Sequence, residues 1–231
     1  MQFILIIFVL VGSVGLLSGC ANKKEADKVV DAQACLNASS QGTALDCVSK
    51  VEGLDSSAAN TIRCAAIFIR QGFSNPTFVA QAANQVKSGS GKSATLAIMT
   101  AFEFKALASV SENYTMSQDA LKYCSQSGSK GLGFLATSAS LATTSKYLSF
   151  VIVGACGSAG DTAAQLTCLK TQNNTTADAA VGTVVAAAYQ TNCQGTQAGA
   201  NKEFCSQFAT ATAACASTNY TCIGSSFLEQ Y

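Results

Sequence analysis

Apolar positions recur along this chain with the period of helices. Leu96, Met99, Phe102 and Ala106 are spaced by threes and fours, which places them on one helical face. Five segments share a pattern: residues 42–73, 75–110, 115–153, 160–192 and 199–231. Each reads as a short helix, a polar Gly/Ser/Asn turn and a second, usually longer helix. Strand signals are weak. The one dense β-branched run, "FVIV" at 150–153, continues a helical stretch. Helix starts are marked by chemistry as well. Asn75-Pro76 offers an N-cap with proline in the first helical position, and Asp161 can accept from the orphan N–H groups of "TAAQLTCLK". Thr175 or Thr176 can do the same for "ADAAVGTVVAAAYQ". The pattern predicts an all-α fold of stacked helical hairpins with a period near 40 residues. It would be arranged as a short α-solenoid or, without a true repeat, as a compact helical bundle.

Cysteine spacing refines this picture. The chain has 11 cysteines. Setting Cys20 aside leaves an even set: Cys35, Cys47, Cys64, Cys124, Cys156, Cys168, Cys193, Cys205, Cys215 and Cys222. An even set suits disulfides in an oxidising compartment. Three pairs, Cys35/Cys47, Cys156/Cys168 and Cys193/Cys205, share a spacing of 12, which suggests a repeated local bridge between one hairpin and the next. Cys205 and Cys215 cannot pair within one helix, because residues ten apart rise by about 15 Å and a bridge needs Cα atoms within about 7 Å. Cys215 can reach Cys222 if the chain turns at "STNY", and Cys64 is then left for Cys124. Ten cysteines allow on the order of a thousand connectivities, so this set is an expectation. Cys47, Cys124, Cys168 and Cys205 also fall at equivalent places in the first helix of their units.

The N-terminus carries an address. Residues 1–19 hold no charged side chain, and the apolar run from Phe3 to Leu17 fits a signal-peptide core but is short for a membrane span. It ends in "LSGC": an aliphatic residue, two small residues and Cys20. This resembles the lipobox of bacterial lipoproteins. The resemblance implies diacylation of the Cys20 sulfur, cleavage before it, and a membrane partner reached through that lipid. Ala21 at the next position implies the outer membrane. The run lacks the Lys or Arg that usually precedes such a core. An uncleaved anchor, or ordinary secretion with cleavage after Cys20 or Ala21, is the competing reading.

Composition narrows the chemistry. Net charge is +1 and only 12% of residues are charged, so no basic stripe exists for a nucleic acid. The chain has no histidine, which removes Ser-His and Cys-His nucleophile systems and imidazole metal ligands. No CxxC pair is present either, so no metal site and no cofactor are expected. "SGSGKSATL" at 88–96 resembles a phosphate-binding loop only superficially, since Val86 stands where that motif needs glycine. Glu103, between Phe102 and Phe104, is either an acid with a raised pKa in a partly buried place or, more simply, an exposed residue beside Lys105. Asp46 and Glu52 read as a solvated face. Asn37, Asn113, Asn173, Asn174 and Asn219 begin N-x-S/T sequons, which would be surface glycosylation sites in a eukaryotic secreted protein. Phe68, Phe73, Phe78, Phe102, Phe104, Phe134, Tyr147, Phe150, Tyr189, Phe204 and Phe208 are expected to pack the core.

These readings divide the chain into a signal peptide (1–19), a lipidated tether (20–34) and a single all-α cysteine-rich domain (35–231). The expected function is that of a lipid-anchored cell-envelope protein, acting without catalysis as a protein-binding or surface component. The alternative is an anchored or secreted carrier that holds a small apolar ligand in a bundle cavity.

Overall fold

The computed structural model describes residues 23–74, 92–157, 161–194 and 202–231. Among them every regular element is helical: α1 (Lys23–Ala38), a 3-10 helix (Ala44–Val51), α2 (Ser57–Arg70), α3 (Lys92–Phe102), α4 (Val110–Gln126) and α5 (Lys130–Tyr147). A π-helical turn (Leu148–Ile152), α6 (Thr162–Gln172), α7 (Thr175–Asn192), α8 (Lys202–Ala213) and α9 (Tyr220–Leu228) complete the order. The architecture is an all-α, disulfide-stapled bundle. Five bridges join Cys35–Cys47, Cys64–Cys124, Cys156–Cys168, Cys193–Cys205 and Cys215–Cys222, which are the pairs the spacing argument singles out.

The core forms three clusters. Ala32 and Leu36 of α1 meet Val51 of the 3-10 helix and Ile62 of α2 in the first. The segment 20–34, read as a tether that is polar at first and then helical, is helix from Lys23 onward, and Ala32 is fully buried in this cluster. The second cluster joins Phe68 of α2, Phe104, Ala120 of α4 and Ala136 of α5, with the buried Cys64–Cys124 bridge inside it. The third and largest gathers Met99, Leu141, Leu166, Val185, Phe208 and Phe227 from α3 and α5 to α9. Helix α2 serves two clusters, because Ile62 and Ala66 lie on one face and Cys64, Ile67 and Phe68 on another.

Helix α5 is the axis. Every residue from Ala136 to Ser145 is buried, although the run is "ATSASLATTS". A helix buried all round needs no apolar stripe, which is why its sequence shows little amphipathic pattern. Small side chains let α3, α4, α6 and α7 approach it closely. Its hydroxyls are satisfied where they lie. The Ser145 hydroxyl donates to the Leu141 carbonyl (2.8 Å) and Ser138 to that of Phe134 (3.0 Å). The Gln118 amide reaches Ser140 Oγ (3.1 Å) and Thr144 Oγ1 (3.3 Å) from α4.

The hairpin repeat is only partly realised. α4 packs on α5 and α8 on α9, but α6 and α7 lie on different neighbours: α6 on α3, α5 and α9, α7 on α5, α8 and α9. Cys124 also departs from the expected equivalence, sitting in the last turn of α4. Of the two arrangements expected, the bundle describes this fold.

Caps define most helix ends. Asp161 caps α6 as its sequence predicts, Oδ1 accepting from the Ala164 N–H at 2.8 Å. Helix α7 starts one residue earlier than expected. Its cap is Asn174, whose Oδ1 accepts from the N–H groups of Thr176 (3.1 Å) and Ala177 (3.0 Å). The preceding Asn173 ends α6 in the left-handed conformation, φ 46°, which asparagine tolerates better than threonine. Asn174→Ala should therefore cost about 1 kcal/mol. A thermal melt should read this as a loss of about 2–4 °C. The Asn75-Pro76 start lies outside the described residues.

Candidate functional site

Helix α3 stops at Phe102, so Ala106 does not continue its face. Residues 103–109 instead cross the end of the bundle where α4 begins and α5 finishes. Two buried amides hold this crossing. Asn113 of α4 uses its whole hydrogen-bonding capacity. Its Nδ2 donates to the carbonyls of Leu107 (2.9 Å) and Ser109 (3.0 Å), and its Oδ1 accepts from the Leu107 N–H (3.2 Å) and from Gln71 Nε2 (3.1 Å). Gln71, just past α2, accepts the Ala106 N–H at 3.0 Å through Oε1. The Phe104 N–H donates to Thr143 Oγ1 of α5 at 2.9 Å.

Glu103 does not lie on an exposed edge. It is 8% exposed, and its carboxylate takes the Lys146 ammonium at 2.5 Å. The break after Phe102 turns the acid inward toward α5, where a lysine four residues beyond Ala142 can meet it. Next to this pair Tyr114 and Tyr147 stack, ring centres 4.2 Å apart and planes 11° from parallel. Burial, and then the neighbouring Tyr147, push the Tyr114 hydroxyl above its usual range. Phe104, Leu107, Asn113, Thr143 and Lys146 border a recess of about 120 Å³ here.

Beyond Tyr147 the chain widens into the π-helical turn, closed by the Val153 N–H donating to the Leu148 carbonyl at 2.8 Å. Phe150, Val151 and Ile152 stand out of this turn, 44%, 49% and 40% exposed. Phe150 was expected in the core and is on the surface. Three consecutive side chains on a helical turn fan around its axis, so their joint exposure makes a convex apolar knob. No charged residue lies between Lys146 and Asp161 to interrupt it.

A second recess, about 240 Å³, lies between α7, α8 and α9, bordered by Tyr189, Gln190, Thr212, Cys215 and Ile223. Both recesses fall below the roughly 300–1,000 Å³ usual for small-molecule sites. Among the described residues no group of Cys, Asp and Glu could hold a metal ion, and no helix is long and apolar enough to cross a membrane.

The sequence-derived candidates scatter. Cys20, Phe78 and Gly91 of the phosphate-loop-like stretch lie outside the described residues, and the ten remaining cysteines are in bridges. Asp46 and Glu52 are exposed on and just beyond the 3-10 helix. The sequons divide by burial: Asn37, Asn173 and Asn219 are exposed, while Asn113 is 5% exposed and fully engaged. Phe68, Phe104 and Phe208 are buried. The Asn113–Gln71 node and the apolar turn were not singled out.

Asp178, in the first turn of α7, is almost wholly buried, and desolvation raises its carboxyl pKa. A raised folded-state pKa means the folded protein holds this proton more tightly than the unfolded chain. That stabilisation is complete below the ordinary value of about 4 and is lost as pH rises through the folded value. Asp178→Asn is expected to raise the melting temperature at pH 7 and leave it nearly unchanged at pH 3, measured by circular dichroism at both pH values.

Comparison with protein-family models, curated proteins and solved structures finds no match to this chain.

Proposed function

We propose that this chain is a lipid-anchored cell-envelope protein that works without catalysis, by binding a partner protein. The observation that carries the binding role is the convex apolar turn Phe150–Ile152. Exposed apolar side chains that cluster in space favour an interaction surface over a solvated one. The knob is small, so its complement is an apolar cleft on the partner. A flat face could not cover side chains that fan round a turn. "LSGC" supports the anchor, with the lipid on Cys20, and Ala21 supports outer-membrane delivery. The carrier reading gains nothing from two shallow surface recesses.

Each part has its own test. In cells, Cys20 should take up labelled palmitate, with globomycin-sensitive processing; an unlabelled, freely secreted product would sink the anchor. A photo-crosslinking residue at position 151 should give one discrete protein adduct, and the same residue at exposed Ser125 should not. Identical patterns from both positions, or none from 151, would remove the binding surface.

A further inference from the structure

The five bridges differ in how deeply their half-cystines are buried. Cys64 and Cys124 are both fully buried, and Cys193 and Cys205 are 7% and 5% exposed. Cys35 and Cys168 are partly accessible, but their partners Cys47 and Cys156 are 1% exposed. Cys215–Cys222 alone has both half-cystines partly accessible. Cys215 also borders the recess between α7, α8 and α9.

Thiol–disulfide exchange needs both an approach to one sulfur and an exit for the other. The attacked sulfur must be reachable, and the departing one leaves as a thiolate. A thiolate expelled into a dry interior is costly, because burial disfavours the charged form. Attack on Cys35 or Cys168 expels a buried thiolate. Attack on Cys215 expels the thiolate of Cys222, a residue that is itself partly accessible. The ring opened is also the smallest, with a separation of 7 residues against 12 or 60 for the others. Opening it therefore restores the least chain entropy.

The neighbouring helices do not depend on this bridge. α8 stays tied to the end of α7 by Cys193–Cys205. α9 stays seated on α7 where Gly182 and Gly224 let the two backbones touch. Opening the ring thus releases the turn between α8 and α9 and widens the recess beside it, with the bundle intact.

We infer that Cys215–Cys222 is a thiol-exchange site, open to a dithiol reductant whose two thiols can close an unstrained ring, while the other four bridges stay closed. A dithiol thiolate attacks Cys215 Sγ, the Sγ–Sγ bond breaks, and Cys222 departs as thiolate. The second dithiol thiolate then attacks the mixed disulfide and releases Cys215. Two electrons pass from the dithiol to the cystine. The dithiol ends as its cyclic disulfide, and its two protons reach Cys215 and Cys222 through water. This inference is independent of the anchor and of the partner surface.

The test is a dithiothreitol series on the mature protein under native conditions, quenched with N-ethylmaleimide and read by peptide mass spectrometry. Cys215 and Cys222 should be alkylated on the order of tenfold faster than any other pair, with the helical circular dichroism unchanged. Another pair opening first, all five opening together, or none opening before the helical signal is lost would each overturn the inference. The C215S/C222S double variant should lack the fast phase. If that variant does not fold, the order of opening in the natural protein still decides.

Discussion

Replacing Gly224 with alanine is expected to cost about 3 kcal/mol. For a chain of this size, the melting temperature should fall by about 6–12 °C. A Cβ at Gly224 would stand 1.8 Å from the Asp178 carbonyl oxygen, and one at Gly182 would stand 1.8 Å from that of Tyr220. The obstructing atoms are backbone, so no side chain can turn aside. Helices α7 and α9 would have to separate, opening gaps beside Phe227 and Val185, which is how overpacking becomes lost contact elsewhere. Leucine at either position should prevent the C-terminal helices from assembling. Gly131→Ala is the control with the opposite sign. Nothing lies within 4 Å of a Cβ there, and the residue sits in the exposed first turn of α5, so helix propensity should add up to about 1 kcal/mol. A Gly224→Ala variant that melts within about 2 °C of the natural protein would contradict the crossing.

Asn113→Leu should be nearly as damaging, at about 3 kcal/mol. Leucine has a suitable volume, but losing the amide leaves the Leu107 N–H and carbonyl without their partner and Gln71 Nε2 with only the Met116 sulfur. Orphaned groups of this kind cost more than the bond itself contributes. Aspartate should not rescue the site. It keeps the acceptor but turns a carboxylate oxygen toward two carbonyls. Hydrogen exchange gives the local readout. The Ala106 and Leu107 amides should lose protection in Asn113→Leu well before those of α7. Unchanged protection across 103–109 would refute the assigned role.

Some of this was visible in the chain. The bridges were legible because a disulfide is a strict distance condition: three equal spacings and one impossible helix pair left few choices. The helical class was legible from apolar spacing at 96, 99 and 102. The axis was not. Residues 136–145 are rich in Ser and Thr and resemble a surface segment, yet the hydroxyls bond back to their own helix and across to Gln118, which makes burial affordable. The end of α3 was misplaced because Ala106 continues an apolar period that the Phe104 and Ala106 backbone bonds override. Asn174 was passed over for its threonine neighbours, although asparagine is the better cap. The glycine crossing needed two segments far apart in sequence to be set together. Single glycines at 182 and 224 give no hint of each other.

The candidate surface divides in the same way. Glu103 drew notice as an acid between two phenylalanines, but its partner Lys146 lies 43 residues away and no local pattern links them. Phe150 was assigned to the core because aromatic residues in helical runs are usually inside. The turn that expels it is π-helical, a local widening that periodicity does not foresee.

The order of the bridges along the chain has a mechanical consequence. The rings 35–47, 64–124, 156–168, 193–205 and 215–222 follow one another without overlap or nesting. Pulled from its two ends, the chain would lengthen as a row of closed loops joined by free strands. The loops hold back about 100 residues, or roughly 350 Å of extension. More than half of that slack sits in the 64–124 ring, whose bridge is the most deeply buried. Tension can undo the helices and the core clusters, but it cannot draw out the chain inside the rings.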